Sequence, residues 1–235
     1  MQTAIVTGAS RGIGRAIVHK LCDQNWRVIG IARSEEDLSD LKSRYSNCFE
    51  YIVLDLARPE SIRELPSRIN KLQVDEINLL INNAGGGLYK KTIEHEVDEI
   101  EKIIYLNFIA PIMITRILSH LLTPGSFVVY VISAIIHIAS KDLPVYGAAK
   151  IGLYYAVKII REELKERGVH VIAIYPGYVR TDFHLYAGRP SVNKGLTPDQ
   201  VADKIIEAIM KKKKDVYIPS WLKIAKILGP ILPVI

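Results

Sequence analysis

The sequence predicts an α/β fold: a doubly wound parallel β-sheet with helices on both faces, in three α/β/α layers. Short apolar runs alternate along the chain with stretches of helical period. The runs are almost continuously apolar instead of alternating, as strands covered on both faces are. Glycine and polar residues gather where the runs end, at Gly8, Arg33, Asp55, Asn82, Ser133 and Pro176. Ligands of such sheets bind beyond the carboxyl ends of the strands, so these ends mark one expected site.

The elements follow in order. Residues 3–7 form an apolar strand, 8–14 a glycine turn, and 15–25 a helix with its buried face at Ile17, Val18 and Leu21. Residues 27–32 are a second strand. Later runs are 51–54 ending at Asp55, 77–81 ending at Asn82, 127–132 ending at Ser133, and 169–175 ending at Pro176 and Gly177. Helices are expected over 94–122 and 146–167. Residues 183–196, with Gly188, Pro190 and Gly195, read as a mobile substrate loop. Thr197, Pro198 and Gln200 give a capped helix start, and that helix runs to about Lys211.

Residues 216–235 read as an apolar C-terminal extension, with a short amphipathic helix over 221–235 interrupted by Lys223 and Lys226. It falls below the roughly 20 residues needed to span a bilayer. A pocket cover or a contact in a homo-dimer or homo-tetramer is expected ahead of rest on a membrane surface, and no stable membrane insertion is expected. No repeat or linker divides the chain, so 1–235 reads as a single domain.

Composition narrows the function. The 235 residues are 49% hydrophobic and 24% charged, which excludes general disorder. The net charge of +6 includes Lys211, Lys212, Lys213 and Lys214, which suit a helix end and lack the aromatic–basic pattern of nucleic-acid binding. The six histidines show no ligand-like spacing, so no metal is predicted. The two cysteines, Cys22 and Cys48, form no Cys-x-x-Cys pair and read as reduced packing residues of a cytoplasmic protein. No signal peptide is read at the start.

Two motifs carry chemistry. In Thr7-Gly8-Ala9-Ser10-Arg11-Gly12-Ile13-Gly14, Gly8 permits a tight turn, Gly12 a close approach to a pyrophosphate, and Gly14 close helix–strand packing. Nineteen residues past Gly14, where an acidic residue serves NAD, stands Arg33. With Arg11 and Ser34 it suits a 2′-phosphate, favouring NADP(H) over NAD(H). Lys150 follows Tyr146 by four, placing both on one helix face after Ser133. An ammonium near a phenol is expected to lower its pKa and ready it for proton exchange with a carbonyl oxygen or an alcohol.

Together with Asp55, Asn82-Asn83-Ala84-Gly85, Asn107, Pro176-Gly177 and Thr181, these motifs resemble the short-chain dehydrogenase/reductase family of the Tyr-x-x-x-Lys type, from Thr3 to about Thr181. The resemblance implies a Rossmann-like fold and an NAD(P)-dependent oxidoreductase acting on a carbonyl or alcohol. It implies Tyr146 as general acid/base, Lys150 lowering its pKa and holding the nicotinamide ribose, Ser133 on the substrate oxygen, and Asn107 on a relay water. The implied cofactor contacts are Gly8, Ser10, Arg11, Gly12, Ile13, Gly14, Arg33, Ser34 and Asp55. They continue with Leu56, Asn83, Ala84, Gly85, Tyr146, Lys150, Pro176, Gly177, Val179 and Thr181.

Purely structural readings stay open for two of these: Asn107 bonding a helix carbonyl, and Asp55 capping a helix. Leu88, Tyr89, Ile135, Ile136, Tyr178, Phe183, His184 and Tyr186 are expected around the substrate, favouring a small hydrophobic compound. An idle dinucleotide-binding sensor or scaffold, or a peripheral membrane reductase of lipid-like carbonyls, are the alternatives.

Overall fold

A computed structural model of the chain describes residues 1–190 and 195–228. The expectations for 191–194 of the substrate loop and 229–235 of the C-terminal helix lie outside the described residues. Seven strands form one sheet: β1 (Thr3–Thr7), β2 (Arg27–Ala32), β3 (Phe49–Val53), β4 (Ile77–Asn82), β5 (Leu122–Val131), β6 (His170–Pro176) and β7 (Asp215–Ile218). Their order is β3-β2-β1-β4-β5-β6-β7 and every pairing is parallel. The chain builds outward from β1 to β3, returns to β4, and builds outward the other way. The switch in direction falls between β1 and β4, where such sheets open a binding crevice.

The helices are α1 (Gly12–Asp23), α2 (Glu35–Arg44), α3 (Pro59–Arg63), α4 (Leu65–Lys71), α5 (Val97–Ile104), α6 (Ala110–Leu118), α7 (Pro144–Lys165), α8 (Phe183–Tyr186), α9 (Pro198–Met210) and α10 (Ala225–Leu228). Side chains alternate across the sheet. Ala4 and Val6 of β1 join one core with Leu21 of α1, Leu41 of α2 and Ile205 of α9. Ile5, between them, joins the opposite core with Ile114 of α6 and Leu153 and Val157 of α7. Both faces are therefore dry, which is why the strands carry unbroken apolar runs.

Several boundaries differ from expectation. α1 begins at Gly12 and α7 at Pro144, whose fixed φ and missing N–H suit a first helical turn. The stretch 94–122 is not one helix: a π-helical turn, Tyr105–Ile109, separates α5 from α6, and β5 already starts at Leu122. The run Val97–Leu121 is apolar and long enough to cross a membrane (mean hydropathy 1.4). Its residues Ile103, Ala110, Ile114 and Leu118 are instead buried in the protein. The C-terminal extension is corrected as well, because its first residues form β7, an edge strand too short to stand out as an apolar run. α9 has the expected capping box, in which Gln200 N–H donates to Thr197 Oγ1 and Thr197 N–H to Gln200 Oε1.

The cysteines also overturn their expectation. Cys22 of α1 and Cys48, just before β3, have Cα atoms 5.7 Å apart and are joined as a disulfide. The pairing of β2 with β3 brings these distant segments together, so sequence spacing carried no sign of it. The argument from reduced thiols to the cytoplasm falls with it. Oxidised protein, unfolded without reductant, is expected to take up no iodoacetamide, and to take up two equivalents after dithiothreitol. Reduction should lower stability by about 3 kcal/mol, through release of the loop it closes.

Candidate active site

Gly8 and Gly12 have φ of +67° and +55°, the left-handed region that glycine enters without penalty. A Cβ on Gly8 would stand 2.9 Å from Ala84 Cα and Asn83 Nδ2, and one on Gly14 would overlap the Gly8 carbonyl. The turn is thus pressed against the end of β4. Thr7 makes that junction rigid: its Oγ1 accepts from the N–H groups of Asn83 and Ala84, each at 3.0 Å. Asn83 Nδ2 donates back to the carbonyls of Thr7 and Gly8, at 3.0 and 3.3 Å. Arg11, at the start of α1, supplies no side-chain cap, so the helix N-terminus keeps free N–H groups and positive dipole for an anion.

A cavity of about 730 Å³ runs along the carboxyl ends of the strands. At one end stand Arg33, Asp55 and Arg58; Gly8, Gly12, Ile13 and the Asn83–Gly85 segment line its middle, and Arg11 lines it with its guanidinium 3.9 Å from the centre of the Tyr186 ring. Ser133, Tyr146, Lys150, Pro176, Gly177, Val179 and Thr181 line the other end. Five expected site residues do not line it. Ser10 and Leu56 are buried, and Gly14 sits beneath Gly8. Ser34 caps α2 by accepting from Asp37 N–H, and Asn107 is fully buried behind the wall. Asp55 serves the cavity and its own turn together, accepting from Ala57 N–H at 3.1 Å and pairing with Arg58 at 3.5 Å.

Sequence reasoning passed over Thr7, whose role is visible only once β1 and β4 are paired. It also passed over Arg58, although a basic residue four past the end of the 51–54 run lies at the sheet's ligand edge.

At the expected substrate end, Tyr89, Ile135, Tyr178, Phe183, His184 and Tyr186 line the cavity, whereas Leu88 and Ile136 do not. Ile136 packs into the core. The described part of the expected loop is held down. Tyr89 Oη lies 2.7 Å from His184 Nδ1, and Arg189 pairs with both Asp142 oxygens while lying over the Tyr89 ring. His137 instead meets Tyr217 Oη at 2.8 Å and does not line the cavity. From the tail, Leu222 and Ala225 line the cavity. Leu222 is so close that a Cβ on Gly177 would stand 2.6 Å from its Cδ1.

Tyr146 and Lys150 lie one turn apart on α7. Ser133 and Tyr146 line the same part of the cavity, the Ser133 Oγ accepting from Ile135 N–H at 3.2 Å, and the Phe183 ring packs 5.3 Å from that of Tyr146. Lys150 is 3% exposed and donates to the Val131 carbonyl at 3.0 Å, 5.6 Å from the centre of the Tyr146 ring. The expected lowering of the phenol pKa is reversed. Burial pushes it well above the ordinary range, Ser133 opposes this only in part, and the amine faces a carbonyl. Burial likewise pulls Lys150 down to about 7.

Asn107 sits in the π-helical turn, where one extra residue per turn reorients the side chain. Its Nδ2 donates to the carbonyls of Ile103 at 2.8 Å and Gly86 at 2.7 Å, and its Oδ1 accepts from Gly86 N–H at 3.2 Å. The helix-carbonyl reading of Asn107 therefore describes part of its bonding, and the rest clamps the glycine segment after β4. A Cβ on Gly85 would meet both Asn107 Oδ1 and Lys150 Nζ, at 2.9 and 3.5 Å.

Comparison with known proteins places this architecture. The short chain dehydrogenase family model matches residues 2–189. A relative described as a dehydrogenase/reductase SDR family protein 7-like, from Drosophila melanogaster, is 26% identical over 99% of this chain and 77% of its own length. Among solved structures, a short-chain dehydrogenase from Sphingobium yanoikuyae in complex with NADPH superposes with a TM-score of 0.82. It is 22% identical, over 93% of this chain and 88% of its own. One from Burkholderia phymatum in complex with NAD gives 0.88 at 18% identity, over 97% and 93%. The chain belongs to the short-chain dehydrogenase family, an oxidoreductase family with this Rossmann-like fold.

The buried amine makes stability pH-dependent. Between about pH 7 and the ordinary lysine range the unfolded chain holds a proton on Lys150 that the folded protein does not, so Lys150 contributes a rise in stability with pH there. Denaturant titration of Lys150→Met without cofactor should show the variant gaining most over the native protein at or below pH 7. The gain should shrink toward pH 10; a constant difference would contradict a buried neutral amine.

Proposed function

We propose that the protein is an NADP(H)-dependent oxidoreductase that interconverts a ketone or aldehyde with an alcohol. One observation carries this: Ser133, Tyr146 and, one turn on, Lys150 line the same cavity as the uncapped glycine turn. The glycine turn and the free α1 terminus suit a pyrophosphate, which a Cβ at Gly8 would obstruct. Arg33, exposed and in no ion pair among the described residues, and Arg58 beside it on the cavity suit a 2′-phosphate. Neither Glu35 nor Glu36 lines the cavity to favour a free 2′-hydroxyl.

Bound nicotinamide supplies the hydride. The chain supplies position and the proton. Ser133 and Tyr146 together hold the substrate oxygen, and Tyr146 Oη gives it a proton in reduction or takes one in oxidation. A high phenol pKa keeps Tyr146 protonated, the form that reduction requires. Lys150, in its protonated form, stabilises the phenolate that remains. Asn107 acts as a positioning residue, fixing Gly86 and with it the cavity wall beside Lys150.

Tyr146→Phe is expected to lower kcat/KM about a thousandfold. NADPH binding, read by nicotinamide fluorescence, should change less than about twofold, because only a hydroxyl is removed. Turnover is measured at the nicotinamide absorbance across a panel of ketones, aldehydes and alcohols, and full activity in the variant would refute the assignment. Arg33→Ala should raise the Kd for NADPH about tenfold while leaving that for NADH nearly unchanged. Equal losses for both would assign Arg33 a different role.

A further inference from the structure

Three segments of the chain meet at Tyr89, beside the reacting end. Its backbone N–H donates to the Ala187 carbonyl at 2.8 Å, tying the stretch after β4 to the end of α8. Its Oη lies 2.7 Å from His184 Nδ1, and the two rings stack with centres 5.9 Å apart. The Arg189 guanidinium covers the Tyr89 ring at 4.2 Å. Arg189 also bonds both Asp142 oxygens, at 2.7 and 2.8 Å, and so reaches the segment that leads into α7. α8 has four residues and no side-chain cap, too little to hold a helix by its own backbone. The contacts through Tyr89 hold it instead.

Phe183 is the side chain that this anchoring places. It precedes His184, which is 6% exposed, and meets its ring edge-on at 5.5 Å. On its other side it packs 5.3 Å from the Tyr146 ring, tilted by 60°. Both Phe183 and Tyr146 line the cavity. The backbone at Gly87 crowds Tyr146 as well, since a Cβ there would stand 3.1 Å from Tyr146 Cβ.

We propose that Tyr89 and His184 are positioning residues whose hydrogen bond seats Phe183 beside Tyr146, and that Phe183 limits the bulk a substrate carries next to its carbonyl carbon. The proposal deepens the oxidoreductase reading and rests on it. An oxygen within hydrogen-bond distance of the Tyr146 phenol brings its carbon into the space that Phe183 borders. A ring packed on both sides yields to a branched group only by leaving its rotamer, whereas an unbranched group asks for no such shift. Removing the Tyr89 hydroxyl leaves a buried ring nitrogen unpartnered and loosens the seat.

The test compares butan-2-one with 3,3-dimethylbutan-2-one, which differ only in bulk beside the carbonyl, in the presence of NADPH. Phe183→Ala should reduce the native preference for the smaller ketone in kcat/KM about tenfold, as packing that excludes the larger one is lost. Tyr89→Phe and His184→Ala should each reduce it about fivefold, the effect of one hydrogen bond. The double variant should go no further, because both changes break the same bond. His184→Asn, whose carboxamide still reaches for the Tyr89 hydroxyl, should keep the native ratio. A ratio of two substrates is not moved by a general loss of folded protein. An unchanged ratio in Phe183→Ala overturns the proposal, as do additive losses in the double variant or unchanged ratios in both single ones.

Thermal protection of the NADPH complex by butan-2-ol and 3,3-dimethylbutan-2-ol reads the same preference where no hydride can pass. A preference for butan-2-ol that Phe183→Ala and Tyr89→Phe both weaken, with no ketone turned over by the native protein, keeps the seat and refutes the reductase reading. Turnover with ratios unchanged in the variants refutes the seat alone. Protection by neither alcohol, without turnover, overturns both.

Discussion

The Thr7 hydroxyl holds the site together. It accepts two backbone N–H groups from the end of β4, where the sheet changes direction, and Asn83 returns two bonds to the end of β1. Buried backbone groups need partners, and at this junction the sheet ladder no longer supplies them. A β-branched hydroxyl and a carboxamide replace the missing ladder. The glycine turn is pinned on one side and the Asn83–Gly87 segment on the other, and the cavity is the gap between. Asn107 extends the arrangement by clamping Gly86 from the opposite side.

The reacting end shows two opposed electrostatic tendencies. Burial favours the neutral forms of both Tyr146 and Lys150, raising one and lowering the other. In the proposed reaction, a phenol that delivers a proton gains from staying protonated until the substrate oxygen arrives. An amine that must stabilise the resulting phenolate needs its charge then. The Val131 carbonyl is the described hydrogen-bond partner of Lys150, so the amine is oriented while its charge remains responsive to what binds beside it.

Much of this was legible in the chain because the strands are apolar and their ends are not. The glycine turn, Arg33, Ser133 and Tyr146 were placed on the cavity by sequence position alone, since the fold brings every strand end to one edge. What escaped was whatever depends on partners far apart in sequence. Thr7 is an unremarkable strand residue until β4 lies beside it. Cys22 and Cys48 lack a motif, and their meeting is set by strand register. β7 has four residues, too few for a period to emerge. The π-helical turn around Asn107 was invisible because one inserted residue leaves the apolar pattern of α5 and α6 almost unchanged.

The edge strand has a mechanical consequence. β7 pairs only with β6, and directly after it the chain carries Leu222 and Ala225 over the cavity. The part of the cavity wall that Leu222 and Ala225 supply therefore follows directly on an edge strand of four residues. Edge elements open at lower free-energy cost than packed cores, so this wall is tied less firmly than the two cores on either side of β1.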